Sequence, residues 1–373
     1  MKKILLFLVL TIIILSGCIL TPEKKGSLII EDKEDSETSA PEKQTAETSE
    51  YKCDTTPKKR EFDVNAYYTG PLIDAHLHMP VLIALPEQFA EKLPFDELPV
   101  LEKDVSSDEI VCLLDKEKIT KAIGFYPFLE PLILPSVYVV KRVEEKHPGR
   151  IAAFLQPAPL FSPLINPEKL DETLSKNNGV FIGYGELATY FPVFEGTSPN
   201  DQDFLETYKV AAKHNLVLMI HPTPENINAL EKAIKQNPDV TFLLHGAEYR
   251  NRETSQKELK DIIIGVVERN KNVLYTIDTQ LTNIYAPSSA EEFKNRFKKD
   301  FYETLNEAVS VWKPAIEANP DKFVWGTDRL EKWHFEEEVG GLVEEMGRAF
   351  IGQLDPEVQE RFAHKNAERI IGK

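Results

Sequence analysis

The sequence predicts an α/β chain of the (β/α)8 TIM-barrel class, and three observations carry that expectation. Eight short apolar runs alternate with longer amphipathic stretches over about 300 residues. The runs are continuously apolar, as in Leu216-Val217-Leu218-Met219-Ile220, which suits parallel strands covered on both faces. No GxGxxG turn follows the first run, so the main signature of a doubly wound dinucleotide fold is missing.

In chain order the expected strands are Leu72 to Leu77, Thr120 to Phe125, Arg150 to Leu155, Val180 to Tyr184, Leu216 to Ile220, Val240 to Leu244, Val273 to Ile277 and Phe323 to Gly326. Helical periodicity falls between them at Asp108 to Leu114, Pro135 to Lys146, Asp201 to His214, Glu225 to Lys235, Lys257 to Glu268 and Glu291 to Ala308. Two connections, Pro80 to Val105 and Leu281 to Pro320, are rich in Pro and aromatic residues. They are expected to be loops that shape a pocket mouth.

Ahead of the barrel the chain changes character. Lys2 and Lys3 precede the apolar run Ile4 to Leu15, and Leu15-Ser16-Gly17-Cys18 follows, which is the order of a signal peptide. The LSGC segment resembles a lipobox, so residues 1–17 are expected to be a signal peptide and Cys18 the lipidated start of the mature chain. An uncleaved anchor is the alternative, because the apolar stretch extends through Leu20 and approaches the ~17 residues a spanning helix needs. Either way the expected location is extracytoplasmic and membrane-anchored. Residues 18–62 are dominated by Glu, Lys, Ser, Thr and Pro and read as a disordered linker. Residues 63–373 are expected to form the barrel. Cys53 and Cys112 then remain as a possible disulfide in an oxidising compartment, with a buried free thiol at Cys112 equally open.

The net charge of −17 opposes broad contact with nucleic-acid phosphates, which requires a basic face. The expected partner is a small-molecule substrate.

Chemistry concentrates where the runs end. His76 and His78 close the first run, His221 the fifth and His245 the sixth, while Glu186 and Asp328 follow the fourth and eighth. Carboxyl ends of barrel strands converge on one face, and residues at i and i+2 of a strand point the same way. These six side chains are therefore placed to share metal. Imidazole and carboxylate donors without thiolates suit a catalytic zinc site, with manganese, iron or nickel also allowed. Each residue alone is weak evidence, but six of ligand type at strand ends are hard to assign to chance.

The order DAHLH, GYGEL, MIHP, LLHG and WGTD, with the ending Asn366-Ala367-Glu368-Arg369-Ile370-Ile371, resembles the amidohydrolase superfamily and its amidohydrolase-2 branch from about residue 70 onward. The resemblance implies one metal on His76, His78 and Asp328, and a second on His221 and His245. Glu186 falls where many members carry a carboxylated lysine as the bridging group, and a glutamate there is similar to TatD-like members. In single-metal members His221 would join the first metal and His245 would act on water or substrate. The resemblance also implies Asp328 as the general base and acid, with His245 stabilising developing charge.

The leading function is metal-dependent hydrolysis of a small-molecule C–N, C–O or P–O bond. The alternatives are a single-metal decarboxylase of the same branch and a non-catalytic metal- or ligand-binding lipoprotein. His147, His214 and His364 are expected to be structural. His334, Tyr184, Trp325 and Arg250 are minor candidates for lining the pocket.

Overall fold

Each apolar run becomes one strand of a barrel, because burial on both faces is available only inside a ring of parallel neighbours covered by helices. The computed structural model describes residues 53–56, 59–79, 105–128, 133–157, 164–187, 197–223, 225–246, 256–278 and 289–372. The expected signal peptide, Cys18, residues 80–104 of the first long connection, residues 281–288 of the second and Arg250 lie outside them. Among the described residues no helix is long and apolar enough to cross a membrane.

The strands are β1 (Leu72–His78), β2 (Ile119–Phe128), β3 (Ile151–Pro157), β4 (Phe181–Leu187), β5 (Val217–Ile220), β6 (Thr241–Leu244), β7 (Val273–Ile277) and β8 (Phe323–Trp325). They pair in sequence order, every pair parallel. Residues just past β8 close the ring. Leu77 bridges Arg329, Asp328 N–H donates to the His76 carbonyl at 2.8 Å, and His78 N–H donates to the Arg329 carbonyl at 2.9 Å.

The helices are α1 (Ser107–Lys116), α2 (Ile133–Lys146), α3 (Pro167–Lys176), α4 (Gln202–Lys213), α5 (Ile227–Gln236), α6 (Gln256–Arg269), α7 (Ala290–Ala318), α8 (Glu337–Gly352), α9 (Pro356–Glu360) and α10 (Asn366–Ile371). A 3-10 turn spans Lys332–Phe335 and a π turn spans Arg361–Lys365. Helix α1 starts at a capping box between Ser106 and Glu109, which satisfies amide groups that the first turn leaves open. Helix α3 escapes the sequence pattern because it buries only Leu170 and Leu174. Helix α7 corrects the expected loop at Leu281 to Pro320. It runs unbroken past Ala308, through Pro314, and buries Phe293, Phe297, Phe301 and Trp312 on one face.

Two apolar layers result. An outer layer between barrel and helices includes Leu72, Leu77, Tyr184, Leu218, Phe242 and Trp325. An inner layer fills the barrel with Ile73, Ile123, Phe125, Phe154, Met219, Leu243 and Val324, and α10 closes it with Ala367 and Ile370. A Leu or Phe at such a position stabilises the fold by roughly 1.5–3 kcal/mol, so this packing fixes the strand ends that carry the polar groups. Tyr184 and Trp325, sequence candidates for the pocket, belong to the outer layer. The Tyr184 hydroxyl accepts from Ile165 N–H at 2.8 Å.

Segments before β1 are tied on. Phe62 stacks on Phe301 with ring centroids 3.6 Å apart, Glu345 accepts from the amides of Glu61 and Phe62, and Cys53 is disulfide-bonded to Cys112 of α1.

Candidate active site

Strand polarity alone would leave His76 and His78 on one face, but two local irregularities refine the aim of the site. The register of β1 against β2 shifts between Asp74 and Leu77, and that of β4 against β5 shifts between Tyr184 and Leu187. Such bulges re-aim side chains. Here they fall where His76 and Glu186 turn toward one another's neighbours. At Gly185, with φ +129°, a Cβ would come 2.3 Å from the Met219 carbonyl oxygen, so only glycine lets β4 approach β5 at this point. Gly246, with φ +72°, likewise leaves the place that the His221 ring occupies. Asp328 has φ +50°, a strained value for a non-glycine residue of the kind that clusters at functional sites.

All six expected residues meet at the carboxyl ends of the strands. His78 Nε2 lies 3.1 Å from Asp328 Oδ1 and 3.6 Å from Glu186 Oε2. His76 Nε2 lies 3.5 Å from Asp328 Oδ1. His245 Nε2 lies 3.2 Å from Glu186 Oε1 and 3.6 Å from Asp328 Oδ2. His221 Nε2 contacts the same Glu186 Oε1. His76, His78 and Asp328 form one potential metal cluster, His76, Glu186 and His245 a second, and His245, Asp278 and Asp328 a third.

Two further residues belong to this centre and were not foreseen. Asp278, directly after β7, is buried with Oδ2 at 3.1 Å from His76 Nδ1 and 2.9 Å from His245 Nδ1. Gln156, near the end of β3, places Oε1 at 3.3 Å from His78 Nδ1 and donates through Nε2 to Glu186 Oε2 at 3.3 Å. Both directly follow an expected strand, Val273 to Ile277 and Arg150 to Leu155. The rule that selected His221 and His245 would also have selected them.

Electrostatics is dominated by these contacts. Burial pushes the Asp328 carboxyl upward, but the imidazoles of His76, His78 and His245 outweigh it and hold it well below the usual range. Glu186 is held low in the same way, burial being outweighed by His221, His245 and His76. Burial opposes protonation of His245, yet Asp278, Glu186 and Asp328 raise it well above an ordinary histidine. His221 is lowered, by burial first. Beneath the site Asp74 stitches β1 to the turn after β8, accepting from His76 N–H at 3.0 Å, Thr327 N–H at 2.9 Å and the Thr327 hydroxyl at 2.5 Å.

The donor set fits a divalent cation. Buried carboxylates face imidazole nitrogens, and His76 Nε2 points into the centre with no hydrogen-bond partner among the described residues. An orphaned buried nitrogen beside carboxylates is costly unless a cation completes it.

Three other histidines stand apart. His147 lies 3.0 Å from Asp108, His214 lies 2.6 Å from Asp171, and His364 lies 3.3 Å from Glu368. His334 is buried after β8, and its Nδ1 accepts from the amides of Leu330 and Glu331.

A histidine and carboxylate centre at the carboxyl end of an eight-stranded parallel barrel defines a class of enzyme equipped to hold a divalent metal. The amidohydrolase-2 family model, described as amidohydrolase, matches residues 138–373, and the chain belongs to that family. β1 with His76 and His78 precedes the matched stretch, so that pair joins the site through the structure. No curated protein matches the chain. Among solved structures, a zinc-bound amidohydrolase from Burkholderia multivorans is similar at 14% identity and a TM-score of 0.55, covering 81% of this chain and 99% of that one. A probable 2-pyrone-4,6-dicarboxylic acid hydrolase from Acinetobacter baumannii, with citric acid bound, matches at 12% identity and a TM-score of 0.51 over 82% of this chain and 100% of its own. N-isopropylammelide isopropylaminohydrolase from Burkholderia multivorans matches at 13% identity and a TM-score of 0.50 over 83% and 76%. These likenesses establish the fold.

Proposed function

We propose that the chain is a metal-dependent hydrolase of a small-molecule C–N, C–O or P–O bond, with His76, His78 and Asp328 holding one divalent ion and His221 and His245 a second across Glu186. The observation that carries this reading is the meeting of four imidazoles on Glu186 and Asp328 at one end of the barrel. Zinc is the metal proposed, from the nitrogen and oxygen donor set and in keeping with the zinc-bound structural neighbour. The hydrolytic names of the other two neighbours agree with the bond class.

A divalent metal in this centre supplies Lewis acidity, acidifying water and polarising the oxygen of the bond under attack. The protein does the rest. Asp328, kept ionised by the imidazoles around it, accepts the proton of the attacking water and returns it to the leaving group. His245, beside both Glu186 and Asp328, stabilises charge that develops on the substrate. The strand walls exclude bulk water, which strengthens each of these interactions.

A single-metal decarboxylase is the second reading, and one observation favours it. His76 is shared by the cluster with His78 and Asp328 and the cluster with Glu186 and His245, whereas His221 joins through Glu186 Oε1. Metal analysis of the purified full chain separates the two. Two ions per chain, falling to one or none in Glu186→Ala, support the dinuclear hydrolase. One ion unaffected by that change, together with carbon dioxide release from a carboxylic acid substrate, moves the assignment to the decarboxylase. A panel of lactones, esters, amides and phosphoesters, assayed with and without a chelator, identifies the bond. Loss of turnover on chelation and recovery with zinc is the expected result.

The chain is proposed to work outside the cytoplasm on a membrane anchor. Support comes from the order of residues 1–18 and from the Cys53–Cys112 bond, since disulfides persist in oxidising compartments. Intact mass beginning at a lipidated Cys18 is the expected result.

A further inference from the structure

We infer that Asp278 is the shared positioning residue of the metal centre, one carboxylate oxygen that orients a histidine from each of the two proposed ligand sets. The inference rests on the metal-dependent reading above.

A carboxylate accepts and cannot donate. Asp278 Oδ2 sits 3.1 Å from His76 Nδ1 and 2.9 Å from His245 Nδ1. Only the His76 contact has the angles of a formed hydrogen bond, but a bare lone pair on either Nδ1 would be repelled by an oxygen this close, so both Nδ1 atoms carry hydrogen, and in the neutral ring the lone pair is left on Nε2. Those two Nε2 atoms are the ones that face Asp328 and Glu186. The opposite tautomer would direct an N–H at the cation and a lone pair at a carboxylate, so a single oxygen excludes the wrong state of both rings.

Position gives Asp278 its reach. It follows β7 directly, while His76 is on β1 and His245 follows β6. The His76 and His245 rings stand edge to face, with centroids 4.2 Å apart, so one acceptor between their outer nitrogens fixes both. The Asp278 side chain is fully buried, and its Oδ1 has no hydrogen-bond partner among the described residues. That burial keeps bulk water from replacing the contact. Gln156 does similar work for a single ring, holding His78 Nδ1, but it is uncharged and spans only one proposed ligand set. Asp278 adds a negative charge just behind two ligands, which raises their basicity and favours a cation in front of them.

The test uses the full chain labelled with 15N-histidine, comparing wild type with Asp278→Leu and Asp278→Asn. Imidazole 15N shifts of the metal-free chain at alkaline pH read the tautomers directly, and competition with a chelator gives the zinc dissociation constant. In the wild type His76 and His245 are expected as Nδ1–H tautomers. Leucine removes the acceptor. The two rings should then show mixed tautomers, and zinc affinity should fall about 10- to 100-fold. Asparagine can keep an acceptor oxygen while losing the charge, so it should preserve the tautomers and still weaken zinc severalfold. Wild-type tautomers and wild-type zinc affinity in a folded Asp278→Leu chain overturn the inference. Should the leucine variant not fold, unchanged zinc affinity in Asp278→Asn overturns it. A merely structural role would lower the melting temperature and leave the tautomers alone. If the wild-type chain takes up no zinc, the metal reading fails, and the tautomer measurement separately decides whether Asp278 orients the rings.

Discussion

Asp328 and Arg329 are consecutive, yet they belong to two buried polar clusters on opposite sides of the barrel wall. Asp328 faces inward to His76, His78 and His245. Arg329 runs outward toward α1 and α8, where its Nη2 donates to Glu117 Oε2 at 2.7 Å and to the Gly340 carbonyl at 3.4 Å. Arg348 completes the outer cluster, donating to the carbonyls of Glu117, Tyr68 and Gly70 and pairing with Glu344. The outer cluster sets a carboxylate against a cation of the protein itself. The inner one collects carboxylates and imidazoles and leaves the compensating charge to be supplied from outside. Burying charge is costly in both places, but only the inner arrangement keeps its charge free to act on another molecule.

Breaking the two clusters should therefore cost different things. The largest effect is expected at Asp328→Asn, where kcat falls by a factor of about 10² to 10⁴. The metal-free chain should also lose some folding stability, because the imidazoles that hold Asp328 ionised lose their charged partner. Steady-state kinetics and a thermal melt of the same preparation check both halves, and unimpaired turnover would remove Asp328 from the proton path. Next is Arg329→Met. It leaves Glu117 buried without its cation and should destabilise the fold by about 3–5 kcal/mol, whereas adding Glu117→Leu should recover most of that loss. Denaturant melts at pH 8 read the cycle.

The smallest effect is a change in pH dependence. Burial raises the Glu117 carboxyl from 4.5 to about 7 despite Arg329. The folded chain then holds a proton that the unfolded chain has released. The Glu117 contribution to stability is greatest below about 4.5, falls as pH rises, and is lost above about 7. Glu117→Gln should flatten that slope in melts between pH 5 and 8. An unchanged slope would mean that another group sets it.

The same wall explains what the sequence revealed. All eight strands were legible because each is built on a short, largely apolar run with its own neighbours on both sides. Their carboxyl ends were harder to read, since β3 and β4 extend through Gln156 and Leu187. There the pattern gives way to the polar and glycine residues that do chemistry. His76, His78, Glu186, His221, His245 and Asp328 were visible as residues of ligand type. Asp278 and Gln156 were equally close to strand ends, but a single acid or amide after an apolar run has no partner in one dimension. The pairing of Asp278 with two rings from distant strands exists only after the barrel closes. The outer cluster was hidden for the same reason, as Glu117 and Arg329 are far apart in the chain and meet through α1 and α8.

The Cys53–Cys112 bond closes a loop with a sequence separation of 59 residues, and β1, with His76 and His78, lies inside that loop. Two of the four imidazoles thus ride on a covalently ringed stretch of backbone. In the chain-entropy picture a loop of this length disfavours the unfolded chain by about 4 kcal/mol. The first strand also cannot fray outward from its free end, as a terminal strand ordinarily can. Once oxidised, the chain carries its HxH pair on a closed hoop anchored to α1, so the inward-facing edge of β1 is held from both sides of the strand.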